Sequence, residues 1–268
     1  MNNGQPIAIV DAFTETPFRG NPAAVCLCPG PLPEDRMQKI AGEMNLSETA
    51  FVDPDSEGGF FLRWFTPRCE VQLCGHATLA AAHLLWEQER APADEPIRFQ
   101  TRSGPLTCRR VAGEILMDFP EEPGLATPPP RKLDRILGTS NFELVERNRF
   151  DWLVLLEDES QVRDLTPDFR RLLWLDSGGL MVTAPARRPE ADFVSRYFAP
   201  ALGIDEDPVT GSAHCFLGPF WAERLGKTSL VGYQASKRGG LVRVEVPGTG
   251  RVTLGGRAVT VMRGELLR

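Results

Sequence analysis

The chain is short of the residues that several function classes require. It has three histidines and two tyrosines in 268 residues. No stretch approaches the ~18 consecutive apolar residues of a membrane-spanning helix, so none is expected. Basic residues are not in excess: 30 Lys and Arg stand against 36 Asp and Glu, for a net charge of −6. With both signs interspersed, this argues against nucleic acid or an anionic membrane surface as a partner. There is no G-x-G-x-x-G and no Walker loop, so no nucleotide cofactor is indicated. Six cysteines occur, at 26, 28, 69, 74, 108 and 215. Neither Cys26-x-Cys28 nor Cys69-x4-Cys74 has a zinc spacing, and no acidic cluster in the sequence accompanies Cys74-Gly75-His76, so no metal is expected. Met1 to Ile9 lacks a basic segment followed by a long apolar one. A cytoplasmic protein with reduced thiols is the expectation.

What the chain does contain, it contains twice. Leu62-Arg63-Trp64-Phe65-Thr66-Pro67 leads to Cys74-Gly75-His76-Ala77 and an apolar helix. Ser195-Arg196-Tyr197-Phe198-Ala199-Pro200 leads to Thr210-Gly211-Ser212-Ala213 and another. The Arg-aromatic-Phe units start at 63 and 196, and the turns pass through Gly75 and Gly211, so the second copy carries a three-residue insert. A duplicated strand–turn–helix unit predicts two similar lobes. Each turn ends at a helix N-terminus, where free N–H groups and the macrodipole attract anions. Two such ends facing a cleft would hold a small carboxylated molecule.

Hydrophobic periodicity predicts a helix from Pro33 to Met44, strands at Thr49 to Val52 and Gly59 to Phe65, and a buried helix from Cys74 to Glu89. Pro120 to Lys132 holds five prolines and a glycine and marks the boundary between lobes. In the second half, helices are expected at Pro167 to Trp174 and Gly211 to Leu225, among short strands. The pattern is not alternating βαβ. It predicts an α+β protein with mixed sheets wrapped around central helices.

Seven segments in order resemble the phenazine-biosynthesis PhzF-like family. They are Asp11-Ala-Phe-Thr with Phe18-Arg-Gly-Asn-Pro-Ala-Ala-Val25, Asn45-Leu-Ser-Glu-Thr-Ala-Phe-Val52, Arg63-Trp-Phe-Thr-Pro67, Leu73-Cys-Gly-His-Ala-Thr-Leu-Ala80, Arg196-Tyr-Phe-Ala-Pro200, Glu206-Asp-Pro-Val-Thr-Gly-Ser-Ala-His214, and Gln234-x-Ser-x-Arg-Gly-Gly240. The resemblance implies the diaminopimelate-epimerase-like fold, in which two pseudo-symmetric lobes each wrap a mixed β-barrel-like sheet around a central helix. The expected lobes are 1–119, with room to regain the C-terminal strand 258–268, and 120–257. A cofactor-independent isomerase and a homodimer are also implied. In the best understood member type, a Glu moves a proton within dihydrohydroxyanthranilate.

Carried over residue by residue, the family's proton-moving carboxylate falls on Glu48. Read without the resemblance, Glu48 is a turn or capping carboxylate beside an apolar strand. In a closed cleft, lost hydration would raise its pKa and suit it to take a proton from carbon and return it. The resemblance places substrate contacts at His76, Asp207, Gly211 and Ser212, with Gly75 and Asn21 beside them. His76 is expected to be neutral at its helix N-terminus. His83 and His214 read as structural. The same-fold two-base epimerases use one thiol per lobe. Here Cys74 stands at the first thiol position, the second turn has none, and Cys215 comes one helical turn too late. Cys74 therefore reads as a small buried hydrophobe. The alternatives are an amino-acid epimerase or racemase pairing Glu48 with Cys74, and a non-catalytic small-molecule binding protein.

Overall fold

The computed structural model describes residues 4–267. Met1–Asn3 and Arg268, which the expected N-terminal lobe, leader reading and closing strand include, lie outside the described residues. The chain divides into two compact units, one of residues 4–118 with 255–267 and one of Phe119–Leu254.

The first unit opens with β1 (Gln5–Ala12) and β2 (Asn21–Leu27), an antiparallel pair. Helix α1 (Glu34–Met44) starts after Pro33 with Glu34 and Asp35 in its first turn, and buries Met37, Ile40 and Ala41. It ends where Asn45 adopts the left-handed conformation and donates its N–H to Ala41 O. β3 (Glu48–Pro54) runs parallel to β2 and antiparallel to β4 (Phe60–Phe65). A short β5 (Glu70–Val71) pairs with the end of β4 and leads into α2 (Gly75–Glu87). From Gly75 to Trp86 every residue of α2 except His83 is buried, as an Ala-rich helix apolar on all faces requires. β6 (Ile97–Thr101), β7 (Gly104–Val111) and β8 (Glu114–Pro120) form a meander.

The second unit repeats this order. After β9 (Leu125–Ala126), α3 (Leu133–Leu137) and β10 (Leu144–Arg147) come β11 (Asp151–Leu155), α4 (Glu159–Asp164) and α5 (Phe169–Leu172). β12 (Gly179–Pro185), β13 (Phe193–Ala199) and β14 (Ile204–Asp207) then lead into the buried α6 (Gly211–Leu225). β15 (Ser229–Gln234), β16 (Gly240–Glu245) and β17 (Arg251–Gly256) follow. The last strand, β18 (Ala258–Leu266), lies antiparallel to β1 in the first unit, with a bulge between Ile9 and Val10.

The duplication is visible in register. β3–β4 pairs Ala50 with Trp64, and β12–β13 pairs Met181 with Tyr197. Trp64 faces Val71 across β4–β5, as Tyr197 faces Asp207 across β13–β14. The parallel pairings Phe60–Phe99 and Phe193–Gly232 match as well. The two arginines of the repeated phrase do the same work. Arg63 donates from Nε and Nη2 to the two oxygens of Glu70 at 2.6 and 2.7 Å, its guanidinium 5.1 Å from the Phe65 ring. Arg196 forks onto Glu206 at 2.7 and 2.9 Å and lies 4.9 Å from Phe198. A planar bidentate donor stacked on an aromatic explains why both copies carry Arg rather than Lys.

Two expectations are corrected. The helix from Pro167 to Trp174 shrinks to Phe169–Leu172. Asp168 caps it by accepting from Arg170 N and Arg171 N, but only Leu172 is buried, and Leu173 and Trp174 face solvent, so no apolar stripe extends it. Helix α4 was unexpected: Asp158 caps it through Ser160 N and Gln161 N, and it buries only Glu159 and Val162, too few positions to show a period.

Candidate functional site

In the first unit, three elements bring polar groups together. Glu48 opens β3 and is paired in register with Ala23 of β2. Asn21 opens β2 after Gly20, whose φ of +63° and whose Cβ position, 2.0 Å from Ala12 O, admit only glycine. His76 is the second residue of α2, whose N-cap, Cys74, is extended and makes no side-chain capping bond. The Asn21 amide nitrogen lies 3.2 Å from His76 Nδ1, and Cys74 Sγ lies 3.5 Å from the same nitrogen. With the amide donating, Nδ1 accepts and the ring proton sits on Nε2. Nε2 is 3.2 Å from Glu48 Oε2, though without the alignment of a full hydrogen bond. The Glu48 side chain is 14% exposed.

His76 is buried, and burial pulls its pKa down to about 3. The ring is therefore neutral near pH 7, as expected, but burial rather than the helix terminus is the cause. The pair is a neutral N–H facing a carboxylate, not two opposite charges. Cys74, expected to be a small buried hydrophobe, is buried and also lies against His76, and Glu48 supplies the acidic partner that the linear sequence did not show. One ligand atom from each of Glu48, Cys74 and His76 lies within 4.8 Å of the others. Among the described residues, those three donors are the set that could hold a metal ion. However, the ring turns Nδ1 to the thiol and Nε2 to the carboxylate, and Nδ1 is already engaged by Asn21.

A histidine buried neutral makes stability depend on pH. An unfolded His titrates near 6.5, so below that pH the unfolded state binds more protons. The contribution is fully present above pH 6.5 and is lost as pH falls toward 3, at up to about 1.4 kcal/mol per pH unit. Urea unfolding between pH 6.5 and 4.5 should show a flatter loss of stability in His76→Asn than in the wild type. Equal slopes would contradict the buried neutral ring.

In the second unit the turn from Asp207 to Gly211 is tightly bonded. Asp207 is buried at the end of β14. Thr210 Oγ1 donates to Asp207 Oδ2 at 2.5 Å. Gln234, fully buried at the end of β15, donates from Nε2 to Asp207 O at 2.7 Å and to Thr210 Oγ1 at 3.1 Å. Its Oε1 accepts Thr210 N–H at 2.8 Å. Ser236 Oγ donates to Pro208 O at 2.8 Å. Thr210 caps α6 in extended conformation, with no side-chain capping bond, and Gly211 and Ser212 form the first turn of the helix. Gly211 is buried and Ser212 exposed. His214 donates from Nδ1 to Thr210 O at 2.8 Å and is held neutral, its pKa pulled to about 4 by burial.

The repeat assigns each first-unit group a counterpart. Cys74 corresponds to Thr210 and His76 to Ser212, from the turns themselves. The strand registers match Glu48, paired with Ala23, to Gly179, paired with Asp151. Gly179 has no room for a side chain: a Cβ there would lie 2.4 Å from the Tyr197 hydroxyl, which donates to Asp151 Oδ1 at 3.0 Å. The second unit thus has a glycine where the first has its carboxylate, and hydroxyls where it has a thiol and an imidazole.

The phenazine biosynthesis-like protein family model matches residues 10–264. The chain belongs to this family. A protein named as an uncharacterized isomerase from Halalkalibacterium halodurans is 50% identical over 263 residues, covering 98% of each chain. The crystal structure of a PhzF-family phenazine biosynthesis protein from Enterococcus faecalis matches at a TM-score of 0.93 with 44% identity, over 99% of this chain and 100% of that one. A hydroxyproline epimerase from Agrobacterium vitis shares the fold at a TM-score of 0.60 and 10% identity, over 99% of this chain and 93% of that one. The PhzF-like fold is thus a mixed α+β fold that also occurs in epimerases. No helix among the described residues is long and apolar enough to cross a membrane.

Of the residues singled out in the sequence, Asn21, Glu48, Gly75 and His76 meet in the first unit, and Asp207, Gly211 and Ser212 share one turn in the second. Sequence reasoning missed Thr210 and Gln234. Thr210 stood at the position of Cys74 in the repeat, and that signal was sufficient to find it. Gln234 appeared only within a family phrase, and nothing in its spacing tied it to Asp207.

Proposed function

We propose that this protein is a cofactor-independent isomerase that moves a proton within a small carboxylated substrate of the dihydrohydroxyanthranilate type. Glu48 acts as the single base. It takes a proton from a carbon adjacent to a conjugated or carboxyl-bearing centre, and the electron pair delocalises into that system. The protonated Glu48 then delivers the proton to another carbon, so the double bond shifts with no net redox change. His76, neutral and with its Nε2 proton toward Glu48, orients the carboxylate. Asp207 holds an amine or hydroxyl of the substrate, and the amides of Gly211 and Ser212 receive its carboxylate.

The observation that carries this reading is the asymmetry of the repeat. A reaction that inverts a centre takes a proton from one face and delivers one to the other, which calls for two bases. The counterparts of Glu48, Cys74 and His76 are Gly179, Thr210 and Ser212. None of these is a base at neutral pH, and the second unit's turn carboxylate, Asp207, which is not the counterpart of Glu48, is assigned to holding the substrate. The names of relatives such as the Halalkalibacterium protein agree with an isomerase.

The competing reading is an epimerase pairing Glu48 with Cys74, and the thiol's place beside His76 gives it a basis. Cys74→Ala separates the two. With dihydrohydroxyanthranilate as probe, the variant should keep turnover within about tenfold of wild type, since it removes no general acid or base. Loss of turnover in a folded Cys74→Ala protein would favour the epimerase.

A further inference from the structure

Gln234 and Thr210 take no part in the proposed proton transfer, yet both bond to Asp207, Thr210 at its carboxylate and Gln234 at its backbone carbonyl. The Gln234 amide can be oriented in one way only. Its Oε1 faces the Thr210 N–H, a donor, and its Nε2 faces Asp207 O, an acceptor. A flipped amide would oppose donor to donor and acceptor to acceptor. The second proton on Nε2 then goes to Thr210 Oγ1. That hydroxyl, already accepting, spends its one proton on Asp207 Oδ2, at 2.5 Å. The backbone at two points fixes the amide, and the Thr210 hydroxyl, accepting from it, turns its proton to the Asp207 carboxylate.

We propose that Gln234 and Thr210 are positioning residues that act as a one-way relay, holding Asp207 ionised and in a single orientation for substrate. Thr210, at the counterpart position of Cys74, gives its one proton to Asp207 and accepts from Gln234. Ser236 braces the same turn through Pro208 O. Ionisable groups near Asp207 include Tyr197, its register partner on β13, with Asp151 of β11 behind it, and the neutral His214 on α6, which bonds to Thr210 O. The burial and neighbouring negative charge that push the Tyr197 hydroxyl's pKa up keep it protonated, so it adds no charge beside Asp207. Glu206 is occupied by Arg196.

The inference rests on the proposed substrate-holding role of Asp207, but its test reads Asp207 directly and is independent of turnover. Asp207 is followed by carbon NMR in the full-length protein labelled at aspartate carboxyls, its signal assigned with Asp207→Asn. Thr210→Val removes the donated proton and should raise the apparent pKa of Asp207 by about one pH unit or more. Thr210→Ser keeps the hydroxyl and should titrate with the wild type. Gln234→Leu frees the hydroxyl to turn and should move Asp207 upward. Thr210→Ala gives the same reading should Thr210→Val not fold. An Asp207 titration unchanged in a folded Thr210→Val or Thr210→Ala protein, or displaced equally in Thr210→Ser, would overturn the relay.

Discussion

Glu48→Gln should lower turnover by at least about 10²–10⁴ while leaving ligand affinity within a few fold. The substitution keeps the shape of the side chain and its reach toward His76 Nε2, 3.2 Å away. What it removes is the only oxygen pair in that group able to accept a proton from carbon. His76 cannot replace it: its Nδ1 is engaged by Asn21, and its pKa of about 3 makes it a very weak base. The check is steady-state turnover of dihydrohydroxyanthranilate together with calorimetric binding of a non-reacting carboxylate analogue. Near-normal turnover would remove Glu48 from the chemistry. Lost binding with unchanged turnover at saturation would make it a holding group instead.

Gly20→Ala is expected to be the most destabilising small substitution near the site. The residue has φ of +63°, where an L side chain costs about 1–2 kcal/mol. Its Cβ would also lie 2.0 Å from Ala12 O and 2.8 Å from Thr14 Cγ2. The first is backbone of β1 and cannot swing aside. Together these should lower the unfolding free energy by about 3 kcal/mol or more, and displace Asn21, which sets the His76 tautomer. Gly30→Ala is the control: nothing lies within 4 Å of its Cβ position, and its effect should stay within about 0.5 kcal/mol. Urea unfolding of both variants checks this. Equal stability of Gly20→Ala and wild type would show that the β1–β2 connection relaxes freely.

Much of this architecture was legible because the strongest local signals were also the repeated ones. The turn at Gly211 followed by an apolar run gave α6 from Gly211 to Leu225 as observed. Arg63 and Arg196 marked both motif strands before their shared forks onto Glu70 and Glu206 were known. The elements that escaped lack apolar periodicity. β14 is four largely polar residues, Ile-Asp-Glu-Asp. β15 buries Leu230, Gly232 and Gln234 on its inner face, so two of three core positions carry no hydrophobic signal. β10 buries only Val145.

The candidate site divides the same way. The helix start at Gly211 and Ser212 could be found from the turn chemistry, and Glu48 and His76 from the family phrases. The approach of Glu48 and Asn21 to His76, and of Gln234 to the Asp207–Thr210 turn, depends on side chains that the fold brings together from separate strands and turns. Linear spacing has no access to those. Gly179 is the clearest instance. Its importance lies in the side chain it lacks and in the Tyr197 hydroxyl that takes that space.

The most direct test of one-base chemistry is a single turnover of dihydrohydroxyanthranilate in heavy water, with the product read by mass spectrometry and proton NMR. One carboxylate that removes and returns the proton should carry part of it across. The product should then have a shifted double bond and less than one full deuterium at the receiving carbon. A product with an unshifted double bond, an inverted centre and complete deuteration at that centre in every first turnover would contradict the account.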